Sequence, residues 1–88
     1  MNKEKLIEVL RKAGMAHGDY EVNILQGVYD DNWPLWYAAY VVGALGMETI
    51  RPAVLTKLLA EADKAHQKQD PHADWAVFYA QYITDKLA

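Results

Sequence analysis

A chain of 88 residues buries only about 60–65% of its unfolded surface, so it builds one domain with one thin core. Hydrophobic residues make up 52% and charged residues 24%, a globular balance that excludes disorder. The net charge of -3, with nine scattered Lys and Arg, excludes a nucleic-acid surface, and the absence of cysteine excludes disulfides, thiolate nucleophiles and Cys-ligated zinc.

The first segment reads as a helix, because Leu6, Leu10, Ala13, His17, Tyr20 and Ile24 recur at steps of three and four. Its start mixes charged and apolar residues and has no signal-peptide core. Gly14 and Gly18 weaken it, a kink is expected near Gly18, and Gly27 is the expected stop. A second helix is predicted from Trp33 to Leu45, with Pro34 in its first turn and Gly46 as its C-cap. Its stripe is Trp33, Trp36, Tyr37, Tyr40, Val41 and Ala44. The uncharged run around it, Asn32 to Met47, is too short to span a bilayer. A third helix is predicted from near Thr49 to about Lys68, burying Val54, Leu55, Leu58, Leu59, Ala62 and His66. Asp70-Pro71 reads as the start of a fourth, an N-cap acid followed by proline, which runs to Leu87. Trp75, Phe78, Tyr79, Tyr82 and Ile83 face inward on it. The fold class is all-α: a four-helix bundle with short connections.

The chain also repeats itself. Residues 6–17 laid over 55–66, an offset of 49, match Leu6, Leu10, Ala13, Ala16 and His17 to Leu55, Leu59, Ala62, Ala65 and His66. Residues 33–45 laid over 75–87, an offset of 42, match Trp33, Tyr37, Ala38, Tyr40 and Leu45 to Trp75, Tyr79, Ala80, Tyr82 and Leu87. Each unit, about 1–46 and 47–88, is then a helix ending in Ala-His, a loop, and a helix written W-x-x-(W/F)-Y-A-x-Y. The first unit's connection is the longer, an excess expected as about two more turns of the first helix.

The stretch A-H-G-D-Y-E … D-D-N-W-P-L-W-Y-A-A-Y, within residues 16–40, resembles a family of small bacterial helical proteins. These carry an A-H-G-x-Y-E … D-x-x-W-P-x-W-Y-A-x-Y pattern. Some are loosely labelled glyoxalase-like, and the resemblance implies no established activity. The second unit keeps only its His and W-x-x-F-Y-A-x-Y, with Ala76 in place of Pro34. The label fits poorly, since that fold needs paired β-α-β-β-β modules in a longer chain.

Chemistry-bearing residues are few. His17 and His66 lie on apolar stripes, where a histidine is either a hydrogen-bonded core residue or a group facing a ligand. His17, Asp30, Asp31, His66, His72 and Asp74 are the candidate metal ligands, but no helix carries His-x-x-x-His or Glu-x-x-His, so no metal or cofactor is predicted. There is no serine, no cysteine and no glycine-rich phosphate loop. The aromatics Trp33, Trp36, Tyr37 and Tyr40, with Trp75, Tyr79 and Tyr82, are packing residues or the walls of a polar-aromatic cleft. Together with His17, Asp31, His66 and Asp74 they are the ligand-binding candidates.

The reading is a soluble, cytoplasmic binding or interaction module that engages neither nucleic acid nor membrane. The alternatives are an enzyme using His17 and His66 on a small molecule, and a metal-binding protein. The expected partners are a small-molecule ligand and a second copy of the chain. Equivalents of the polar residues on the outer face of helix 4 are apolar on helix 2, so that face is covered either by the chain's own longer first connection, near Tyr20, Val22, Ile24 and Leu25, or by a second copy, for which Ala39, Val42, Gly43 and Gly46 are the candidate dimer interface.

Overall fold

The computed structural model describes residues 1–88: four α-helices and no strand. They are α1 (Lys3–Asn23), α2 (Trp33–Leu45), α3 (Pro52–Gln69) and α4 (Trp75–Leu87). Packing is cyclic: α1 lies against α2 and α4, α3 lies against α2 and α4, and the backbones of the diagonal pairs stay apart, α2 and α4 meeting through aromatic side chains. No helix is long and apolar enough to cross a membrane.

Each helix starts where local chemistry satisfies or removes its free N–H groups. The Asn2 side chain accepts from the Lys5 N–H at 2.9 Å. Pro34 stands in the first turn of α2. The third helix starts at Pro52, not near Thr49, because proline keeps Arg51 extended, with ψ at 140°. The fourth starts at Trp75, not at Pro71. Pro71 holds Asp70 outside the helical region (φ -161°), and Asp70 ends α3 through its own N–H to the His66 carbonyl. Asp74 is the cap, its Oδ1 accepting from Ala76 N–H at 3.0 Å and Val77 N–H at 3.3 Å. His72, expected in the first turn of that helix, lies in the exposed turn before it.

α1 runs unbroken through Gly14 and Gly18. It ends at Asn23, six residues past His17, where α3 ends three past His66. The longer first connection is therefore about one extra turn of helix and a longer loop, 24–32, not two turns. Gly27, at φ 84°, sits in that loop and donates back to the Glu21 carbonyl at 2.8 Å. Gly46, at φ 96°, is the C-cap of α2 as the sequence indicates.

The core joins Leu6, Val9 and Leu10 of α1, Ala38, Val41 and Val42 of α2, Leu55, Leu58 and Leu59 of α3, and Ala80 and Ile83 of α4. Because α2 packs against both α1 and α3, its buried arc is wide and includes Val42. Val42 is thus a core residue, not a free interface residue, whereas Ala39 and Gly43 are exposed and Gly46 is half-buried. That arc leaves Ala44 outside, exposed. Val54 and Ile24 also face solvent, at the edge of α3 and just past the end of α1.

Candidate functional site

His17 is buried on the last third of α1, 5% exposed. Its Nε2 lies 2.9 Å from Oδ2 of Asp30. An ionised carboxylate only accepts, so the imidazole donates there. Nδ1 faces Oε1 of Glu21, one turn further along, at 3.8 Å, which is beyond hydrogen-bond length. Glu21 Oε2 accepts from the Asp30 backbone N–H at 3.1 Å, and Asp30 Oδ1 accepts from Asn32 N–H at 3.0 Å. The loop acid held against His17 is therefore Asp30. Asp31, the loop acid named among the ligand-binding candidates, is exposed.

His66 is held differently. Its Nε2 lies 2.7 Å from the carbonyl oxygen of Ala73, to which it donates. The ring contacts of the two histidines nevertheless correspond. His17 packs on Trp36 and Tyr37 at centroid distances of 5.0 and 5.1 Å; His66 packs on Phe78 and Tyr79 at 5.1 and 5.9 Å.

Four aromatic rings close a circuit between the helix pairs. Trp33 meets Tyr37 at 5.3 Å and Trp75 meets Tyr79 at 5.4 Å, both edge-on. Between the pairs, Trp33 meets Tyr79 at 6.3 Å and Tyr37 meets Trp75 at 6.1 Å. The first of these cross-pairs is stacked and the second edge-on.

These rings border a cleft of about 290 Å³. His17 and Glu21 enter from α1, Trp33 and Tyr37 from α2, Asp63 and Gln67 from α3, and Trp75 and Tyr79 from α4. Exposed Tyr29, on the loop after α1, stands at its rim. The Tyr79 hydroxyl donates to Asp63 Oδ1 at 2.8 Å, and Gln67 Nε2 donates to Asp63 Oδ2 at 3.0 Å. Burial first, then the bonded Asp63 carboxylate, pushes the Tyr79 phenol far above its ordinary pKa. Burial, with the charge of Glu21 second, raises that of Tyr37. Both phenols therefore remain neutral hydroxyls at neutral pH. A second, more open groove of about 490 Å³ shares Tyr37 and Trp75 and is floored by Gly14, with Arg11 and Met15 beside it.

Of the residues proposed from sequence, the cleft collects His17, Trp33, Tyr37, Trp75 and Tyr79. It does not collect the others. Trp36 stacks between Tyr20 and Tyr40, at 5.6 and 5.8 Å. Tyr82 donates to Glu61 at 3.3 Å and lies under the Lys86 ammonium. Asp74 caps α4 and pairs with Arg11 at 2.9 Å, which holds its carboxyl below the usual range. His66 lies outside the cleft lining, so the two histidines share no site. No three His, Asp or Glu residues are placed to hold a metal ion. Glu21, Tyr29, Asp63 and Gln67 were not singled out from sequence. Asp63 carried a signal, a carboxylate beside Ala62 and one turn from Leu59 on the buried stripe of α3, and Glu21 stands four residues after His17.

No protein-family model, curated protein or solved structure matches the chain.

Proposed function

We propose that the chain is a small binding module, two duplicated helical hairpins whose shared cleft receives a small-molecule ligand. The observation that carries this is convergence: one cleft draws polar and aromatic side chains from all four helices. Such mixed linings, apolar walls with a few placed polar groups, are what small-molecule sites need.

Several correspondences support the duplication. α3 starts 49 residues after α1, and α4 starts 42 after α2, the two offsets of the sequence repeat. The pairs Leu6 and Leu55, Leu10 and Leu59, Ala38 and Ala80, and Val41 and Ile83 are all fully buried. The four-ring circuit repeats its centroid spacings, 5.3 with 5.4 Å and 6.3 with 6.1 Å, while the ring planes of the two cross-pairs differ, 21° against 79°. On this reading the cleft lies near the local twofold axis of a four-helix bundle.

A thermal-shift screen with metabolites and metal salts tests the binding reading. A ligand at 100 times its dissociation constant stabilises by about 2.7 kcal/mol, which in a domain this small is a shift of roughly ten degrees or more. A compound that raises the melting temperature of wild type and not of Trp33→Leu supports the cleft. A flat screen contradicts it.

A homodimer through α2 is a second reading. Leu35, Ala39 and Gly43 form an exposed, uncharged row at steps of four along α2. Its small members let another backbone approach closely. Of the residues at the end of α1 and just past it that could cover α2 instead, Val22 and Ile24 are exposed, whereas Tyr20 and Leu25 are half-buried and Tyr20 stacks on Trp36 of α2 at 5.6 Å.

A further inference from the structure

The polar groups of the cleft are biased in charge. Glu21 and Asp63 both line it, and no Lys or Arg does. The nearest basic candidate on its walls is His17, already bonded to Asp30, so carboxylates outnumber it even when the imidazole is charged. Arg11 lies on the second groove and is committed to Asp74. The two carboxylates keep unused acceptor capacity. Glu21 Oε1 makes no hydrogen bond, and His17 Nδ1 lies 3.8 Å from it. Each oxygen of Asp63 accepts one bond and has a second lone pair.

The walls are aromatic. An aromatic ring attracts a cation by its quadrupole, most strongly when the ring is indole, and this attraction suits a weakly hydrated organic cation. A bare metal ion finds no cluster of three ligands here, and an anion meets two carboxylates. We propose that the cleft selects small organic cations, a substituted ammonium group held against Trp33, Tyr37, Trp75 and Tyr79 with its charge answered by Glu21 and Asp63. This rests on the cleft being a ligand site and names the class of ligand.

Three probes of one shape separate charge from shape: choline, its neutral isostere 3,3-dimethylbutan-1-ol, and the anionic 3,3-dimethylbutanoate. Calorimetric titration at low ionic strength gives the three affinities. Choline is expected to bind at least about tenfold more tightly than the alcohol, the carboxylate not at all, and added salt to weaken choline alone. Glu21→Gln retains an acceptor for the Asp30 N–H and is expected to lower choline affinity several-fold while leaving the alcohol unchanged. Where far-UV dichroism shows that variant unfolded, Asp63→Asn replaces it. Equal binding of choline and alcohol, or preference for the carboxylate, overturns the charge selection and leaves the cleft as a ligand site. Absence of binding by all three also overturns it, and the compound screen then decides on the cleft itself.

Discussion

The Trp75 indole lies directly against the backbone of Gly14: a Cβ on residue 14 would stand 3.0 Å from ring atom Cζ2 and 3.5 Å from the Tyr37 hydroxyl. Forty-nine residues further on, Asp63 of α3 accepts from the Tyr79 hydroxyl at 2.8 Å. The two sides of the cleft are therefore unlike at these positions. Where α1 has glycine an indole moves in, and where α3 has aspartate a charged, hydrogen-bonded wall faces the cleft.

Glycine at 14 and at 18 should therefore respond oppositely to alanine. Nothing stands within 4 Å of a Cβ at Gly18, which is exposed within α1. Gly18→Ala should gain roughly 0.5–1 kcal/mol from helix propensity, a rise of several degrees in melting temperature. Gly14→Ala should lose that gain to the ring contact, and Gly14→Val should fall below wild type. Thermal melts of the three variants check this. An equal rise for both alanines would mean that Trp75 does not occupy that space.

Removing the His17 ring should leave Oδ2 of the half-buried Asp30 without its donor, Oδ1 keeping the Asn32 N–H. His17→Ala is expected to cost on the order of 1–3 kcal/mol through the unpaired group, read as a lowered midpoint in urea. The double variant with Asp30→Ala should recover part of the loss, because both partners are then gone. Additive losses would mean that the pair does not act as a unit.

The Tyr79 phenol has a folded pKa raised above its unfolded value of about 10. Its stabilising contribution is fully present below that value. It is lost as pH rises, because the unfolded chain releases the proton first. Stability should therefore decline from about pH 10 upward, and less steeply in Tyr79→Phe. Denaturant midpoints across that range measure both slopes. Equal slopes would remove Tyr79 as the cause.

Much of this fold was legible in the sequence because apolar spacing fixes helices. Trp33 and Leu45 bound α2 as read, and Leu6, Leu10, Leu55 and Leu59 are wholly buried. Asp70-Pro71 misled because the rule for a helix start also describes a stop: the restriction that proline places on the preceding residue closed α3, and Asp74 took the cap. Half of the site was legible as well. His17 and the paired Trp and Tyr residues stood out as rare residues repeated. Glu21, Asp63 and Gln67 did not, since surface helices are full of such residues and only packing shows which of them face a cleft.

A dimer through α2 is tested at Gly43 and not at Val42. Val42→Lys should unfold the chain at any concentration, since Val42 belongs to the core. Gly43→Lys leaves the core alone and puts a charge in the exposed row of α2. Light scattering at tens of micromolar should give a dimer mass for wild type and a monomer mass for Gly43→Lys. A monomeric wild type contradicts the dimer.

A ligand site built jointly by both helix pairs is tested most directly by the indole N–H resonances of the three tryptophans. Trp33 and Trp75 line the cleft from opposite pairs, and Trp36 does not. Titrating the compound that most stabilises the protein should shift the Trp33 and Trp75 signals together, with one dissociation constant, and leave Trp36 nearly still. Shifts confined to Trp36, or to one of the other two, would contradict a shared cleft.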